Sequence, residues 1–188
     1  MKKLILLILL ISCNAYSQSE FSTNTETKEI SYSKVFEVDL PKDSLHKKAL
    51  KWLTLTFKDS RQVIEYNTED EIIGNGVMSI ITVSGKYEVP IDINFRISIA
   101  FKAGRYKLGV DNIHAEGGGV SIPFRDYDYL TIDDYKLLIN FKVSKKKLQK
   151  LYDANLKNQL SLKAQIKEKI LLLSNDLNKS IKKDSEDW

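Results

Sequence analysis

A single cysteine and two histidines among 188 residues leave this chain with little of the equipment that catalysis or metal binding draws on. Cys13 lies inside the amino-terminal apolar segment, so a domain beginning after that segment has no thiol. Disulfides, thiol catalysis and cysteine-based zinc sites are thereby excluded together. His46 and His114 are far apart in sequence, and neither has a second histidine at ligand spacing. No metal and no cofactor are therefore expected. No apolar run reaches the roughly 20 residues that a spanning helix needs, so no transmembrane span is expected either. Phosphate-cradling glycine loops are also missing. Gly74-Asn75-Gly76 has strand-like flanks on both sides and reads as a bulge or bend. Gly117-Gly118-Gly119 lacks a capped helix after it and reads as a flexible exit from a sheet.

What is present begins with an address. Lys2 and Lys3, the apolar run Leu4 to Ile11 and the small-x-small motif Ala15-Tyr16-Ser17 form a secretion signal over residues 1–17, with Gln18 as the first exported residue. Leu10-Ile11-Ser12-Cys13 also fits a lipobox, in which Cys13 would be lipidated and hold the protein on a membrane. The shortness of the segment before Cys13 favours cleavage after Ser17. The expected location is periplasmic or secreted, with an anchored lipoprotein as the alternative.

Net charge is +4 for the whole chain, too small to imply a partner, but its distribution is uneven. Twelve lysines face three acids between Lys142 and Lys183, giving a basic helical tail on a mildly acidic body. Such a tail reads as a solvated helix face, with attraction to an anionic envelope surface as the functional alternative.

Residues 18–31, rich in Ser, Thr, Asn and Glu, read as a flexible tether to a single domain over 32–188. Phe36, Val38 and Leu40 alternate as a strand that stops at Pro41. Asp43 or Ser44 is placed to cap an amphipathic helix with Leu45, Ala49, Trp52, Leu53 and Phe57 inward and His46, Lys47, Lys48 and Lys51 exposed. Turn signals at Thr68-Glu69-Asp70, Ser84-Gly85-Lys86 and Lys102-Ala103-Gly104-Arg105 divide the middle into four strands, about 62–67, 72–83, 87–101 and 106–115. In the third strand every odd position from Tyr87 to Phe101 is apolar, while Glu88, Asp92, Asn94, Arg96 and Ser98 occupy even ones. One face of that strand must be buried and the other wet, so helices cover just one side of the sheet. Val120 to Asn140 reads as a surface excursion. Helical spacing returns at Leu148, Leu151, Tyr152 and Leu156, and again from Leu162 to Ile181, with the polar stretch Asn155 to Ser161 separating the two helices.

Ala49-Leu50-Lys51-Trp52-Leu53 to Thr56-Phe57, then Val63-Ile64-Glu65-Tyr66, then Ile72-Ile73-Gly74-Asn75-Gly76 resemble a bacterial secreted family described as a domain of unknown function with TBP-like fold. The resemblance covers about Val35 to Ala115 and the last helix. It implies an α+β fold: a curved antiparallel sheet of about five strands with helices packed on one face. It implies no activity, and its motif residues pack rather than react.

Three functional readings follow. The preferred one is a non-enzymatic envelope module that binds a protein, glycan or small ligand, or assembles with itself, through the wet face, at Asp92, Asn94, Arg96 and Ser98, with Tyr127, Tyr129 and Tyr135 as a rim. An enzymatic alternative, of hydrolase type, rests on His114 and Glu116 two residues apart at a strand end. The third is assembly through the seam Ile166, Ile170, Leu173, Leu177 and Ile181, whose bland counterpart is that the seam covers the greasy sheet face. Nucleic acid is not expected as a partner, because Glu88 and Asp92 sit beside Arg96 and no basic stripe or row of stacking aromatics accompanies them.

Overall fold

Long alternating strands separated by tight turns can satisfy their backbones only by pairing with one another, and they do so here as a single antiparallel sheet. The computed structural model describes residues 20–57, 64–84, 87–117, 120–126 and 144–183. The elements within them are β1 (Phe21–Thr23), β2 (Ile30–Glu37), α1 (Lys42–Thr56), β3 (Ile64–Asn67), β4 (Glu71–Ser84), β5 (Tyr87–Lys102), β6 (Arg105–Gly117), β7 (Val120–Pro123) and α2 (Lys145–Lys182). The strands lie in the order β1-β2-β6-β5-β4-β3, with β7 paired to β6 where β2 leaves it.

Seven strands replace the expected five, for two local reasons. Part of the expected tether folds back: Asn24 Oδ1 accepts from the amides of Glu26 and Thr27, Lys28 takes φ 60°, and the turn lays β1 against β2. Phe21 then packs on the Tyr32 ring at 5.1 Å, and Ile30 is buried. At the other end Gly117 pairs with Val120, so the expected flexible exit is a reversal that returns the chain to β6. Residues 118 and 119 themselves lie outside the described residues.

The odd positions of β5 carry the core, with Ile93, Phe95, Ile97, Ile99 and Phe101 all buried. Burial fades toward the strand start, where Val89 and Tyr87 are exposed, because β6 pairs with β5 only from Asp92 onward. Gly74-Asn75-Gly76 is no bulge in the β4–β5 ladder, which runs in unbroken register through Ile97, Arg96 and Phe95. A Cβ at Gly76 would lie 2.4 Å from the Phe95 ring and 3.0 Å from that of Phe57. Glycine stands there because two aromatic rings rest on the strand. The irregularity lies next door, in β3 between Ile64 and Tyr66.

Both helices cover the same side of the sheet. α1 buries Leu45, Ala49, Trp52 and Leu53, and α2 buries Ile166, Ile170, Leu177 and Ile181 against the odd face of β5 and its neighbours. The apolar seam of α2 is thus spent on the core, where each fully buried aliphatic side chain stabilises by about 1.5–3 kcal/mol. Polar contacts fix the helix's register: Tyr32 Oη and Ser174 Oγ are 2.7 Å apart, Trp52 Nε1 donates to Asp176 at 2.7 Å, and Tyr106 Oη donates to Asn178 at 3.4 Å. Burial pushes the Tyr106 and Tyr32 phenols above their ordinary range. Lys48 donates to the carbonyls of Ile181 and Lys183, which the end of α2 would otherwise leave open.

Three further expectations are corrected at the helices. α1 starts at Lys42 with Pro41, in an extended conformation, as its cap residue and no side-chain cap; the Pro41 carbonyl accepts from the amides of Ser44 and Leu45 and opens the helix. Asp43 falls in the first turn instead. His46 is half-buried rather than a solvent residue: it bonds Asn67 Oδ1 at 2.7 Å and stands edge-on to Phe101. The two expected terminal helices are one helix of 38 residues, capped at Ser144. The polar stretch 155–161 contains neither glycine nor proline, and Gln159–Asn155 and Gln165–Ser161 bonds bridge successive turns across it. No helix of the described residues is long and apolar enough to cross a membrane.

Candidate functional site: the open face of the sheet

With the helices on one side, the even residues of β5 turn to the other. Asp92, Asn94, Arg96 and Ser98 line up at intervals of two along the central strand, as the alternation requires. Cross-strand register adds their neighbours: Ser79, Val77, Asn75 and Ile73 on β4, and Glu116, His114, Asp111 and Gly109 on β6.

Several of the polar and charged groups of this face are held in pairs. Arg96 donates through Nε and Nη2 to the two oxygens of Asp111, at 2.8 and 3.2 Å. That bidentate hydrogen bond holds the guanidinium above its ordinary range. Both side chains are half exposed, so the pair contributes no more than about 1 kcal/mol to stability and serves mainly to fix the direction of the guanidinium. Ser79 Oγ donates to Asp92 Oδ1 at 2.6 Å, and Asn75 Nδ2 donates to Glu65 Oε1 at 2.6 Å. Ser98 faces Gly109, where a Cβ would fall 2.6 Å from its hydroxyl oxygen.

A bulge in β6 assembles the far end of the site. The register passes from Arg96↔Asp111 to Asn94↔His114, so β6 carries one extra residue opposite Phe95. Asn112 absorbs it at φ 47°, a conformation that asparagine tolerates better than most residues. Tyr106, Leu108 and Val110 face the core before the bulge and Ile113 after it. The phase change therefore brings Asp111 and His114 to the same open face. His114 Nδ1 lies 2.9 Å from the Asn112 carbonyl oxygen, and Nε2 lies 3.7 Å from Glu116 Oε1. Ser79 gives its proton to Asp92, and no described hydroxyl is bonded to His114. Among the described residues no group of three or more His, Cys, Asp or Glu is placed to hold a metal ion.

Aliphatic side chains interrupt the polar ones. Val77, Ile81 and Val83 on β4 and Val35 on β2 share this face and are each more than half exposed, as is Tyr66 of β3. These residues and Asp111 were not singled out as site residues by the sequence. Their signal is that both parities of 72–83 are apolar, and a strand buried on one face only does not need that. Tyr127, Tyr129 and Tyr135, expected as a rim, and Cys13, the alternative lipidation site, lie outside the described residues.

Comparison with known proteins places this sheet. The family profile described as "Domain of unknown function (DUF4468) with TBP-like fold" matches residues 32–116, from β2 to the end of β6. The crystal structure of a DUF4468 family protein from Bacteroides ovatus superposes with a TM-score of 0.52 at 13% identity, over 87% of this chain and 92% of that one. A TBP-like protein from Parabacteroides distasonis gives a TM-score of 0.50 at 11% identity, over 87% of this chain and 99% of the other. At those identities the likeness speaks for the fold alone. A search of curated proteins finds no match. Residues 32–116 thus match the family of domains of unknown function with TBP-like fold, and the fold of the described chain is TBP-like.

Proposed function

We propose that this protein is a non-enzymatic, exported module of the cell envelope that recognises a protein partner across the open face of its sheet. The observation that carries the reading is the one-sided helical cover, which leaves Val77, Ile81, Val83 and Val35 exposed among fixed polar pairs. Exposed aliphatics spaced among oriented hydrogen-bonding groups are what a protein–protein contact uses, apolar area supplying affinity and directed polar groups supplying register. Arg96 suits the centre of such a contact. Its guanidinium is already oriented by Asp111 and keeps donors to offer a partner carboxylate or carbonyl. Export rests on the signal segment at residues 1–17.

The test is to label the full-length protein in its own cells with a short-range crosslinker placed at Val77, and to compare it with the Arg96→Glu variant. The reading expects a defined crosslinked protein that the charge reversal removes. No crosslink to a different protein, or a crosslink to one that is indifferent to Arg96, overturns it, whereas a crosslink between two copies of this chain bears on neither outcome. A His114→Ala variant that removed a measurable turnover of any substrate would favour the hydrolase alternative instead.

A further inference from the structure

β4 is fourteen residues long, yet β3 pairs only with Ile72, Ile73 and Gly74. Two backbone bonds fix which way its peptide groups point. Phe101 N donates to Asp70 O at 2.8 Å, and Thr68 N donates to Glu71 O at 2.9 Å. Even-numbered residues of β4 therefore bond β5, and odd-numbered ones turn their N–H and C=O away from it. Pro90 agrees, since it sits opposite Ile81, where β5 has no amide to give. The Val83 carbonyl accepts from Asn158 Nδ2 at 3.4 Å. No described residue meets the outward peptide groups of Val77, Ser79 and Ile81.

Sheet edges in natural proteins are usually blunted by lysine, proline, bulges or brevity. Apart from Asn158 of α2 at Val83, this edge has none of those devices among the described residues: from Gly74 to Ser84 the sequence GNGVMSIITVS holds no charge and no proline, and its ladder with β5 has no bulge. Three successive outward peptide units present six alternating donors and acceptors, which another extended backbone satisfies together.

We infer that β4 pairs edge to edge, antiparallel, with β4 of a second copy of this chain. Pairing about Ser79 sets Val77 of each copy against Ile81 of the other on the open face, an aliphatic cross-strand contact made twice by symmetry. Self-pairing suits an uncharged edge because like meets like without repulsion. The nearest facing carboxylates, Glu65 of one copy, bonded to Asn75, and Glu88 of the other, opposite Val83, stand about two strand spacings or ~10 Å apart, and Asp92 of the two copies about three. Both separations exceed the screening length of about 8 Å at physiological salt. The result is one continuous sheet across two copies with the open faces side by side. This pairing uses the strand edge and does not depend on the open face binding a partner.

Sedimentation velocity of the full-length protein tests it over a range of concentrations. The wild type is expected to show a reversible monomer–dimer equilibrium. Ser79→Pro removes an outward amide without removing a backbone bond to β5, at the loss of the Ser79–Asp92 side-chain bond, and is expected to weaken the dimer at least tenfold. Ile81→Lys, which puts a charge on the edge, is expected to do the same with circular dichroism unchanged, and it decides the matter should the proline variant fail to fold. Arg96→Glu, which alters the face and spares the edge, is expected to leave the dimer intact. A monomer at every concentration overturns the inference, as does a dimer that survives Ile81→Lys or one lost to Arg96→Glu alone.

Discussion

Gly76→Ala is the smallest change that tests how the core meets the sheet. Carbon atoms in ordinary contact lie about 3.5–4.0 Å apart, whereas the added methyl would sit 2.4 and 2.5 Å from two carbons of the Phe95 ring and 3.0 Å from Phe57. Phe95 is only 2% exposed, so its ring must retreat by roughly 1 Å into a packed layer. Overpacking of this kind costs about 1–3 kcal/mol. Alanine also restricts the unfolded chain, which returns about 0.4–1 kcal/mol. The expected net loss is about 1–2 kcal/mol. With a urea dependence of about 1–3 kcal/mol per molar, the unfolding midpoint should fall by roughly 0.5–1 M. Phe95→Leu shrinks the ring that the methyl strikes, so a double-mutant cycle should show a favourable coupling of about 1 kcal/mol or more. A midpoint that stays put or rises in Gly76→Ala, or a cycle without coupling, refutes the claim that glycine is there to seat the rings.

Ser174→Ala removes the buried partner of Tyr32 and should cost about 1–3 kcal/mol in denaturant unfolding, whereas Ser174→Thr, which keeps the hydroxyl, should recover part of it. Arg96→Glu, on an exposed pair, should change stability by no more than about 1 kcal/mol, which makes it a clean probe of the face. Tyr106 and Tyr32 have folded-state phenol values raised above the unfolded value of about 10, so the stability they contribute is complete below pH 10 and is lost as pH rises past it. Ultraviolet titration should show these two ionising together with unfolding. Truncation before Leu162 removes Ile166, Ile170, Leu177 and Ile181 from the core and should abolish cooperative unfolding altogether.

Which parts of this architecture the sequence reveals follows from the range of the interactions involved. The alternation from Tyr87 to Phe101 identifies β5, its buried face and its wet one, because a one-sided sheet writes its environment into every second residue. The turns between β4, β5 and β6 fall where Ser-Gly-Lys and Lys-Ala-Gly-Arg place them, and Gly104 takes φ 77°. Phe21 and Ile30 are too sparse to set a period, so the hairpin they form is recognisable only once Tyr32 lies beneath them. Asn112 hides its bulge for a related reason: one inserted residue shifts the phase of β6 without altering its composition. The Arg96–Asp111 pair joins residues on different strands through that bulge, so nothing local in the sequence announces it. The continuity of α2 through 155–161 shows the opposite error, polarity mistaken for a break when only glycine or proline would impose one.

The central claim, that the open face is the working surface of an exported binding module, is tested most directly by native mass spectrometry of the full-length protein released from its own cell envelope. Wild type and Arg96→Glu are to be compared side by side. The account predicts a wild-type species carrying the mass of a second, different protein chain, and a variant equally folded but without it. Wild-type protein that carries no second protein, or a bound chain that Arg96→Glu leaves in place, contradicts the account.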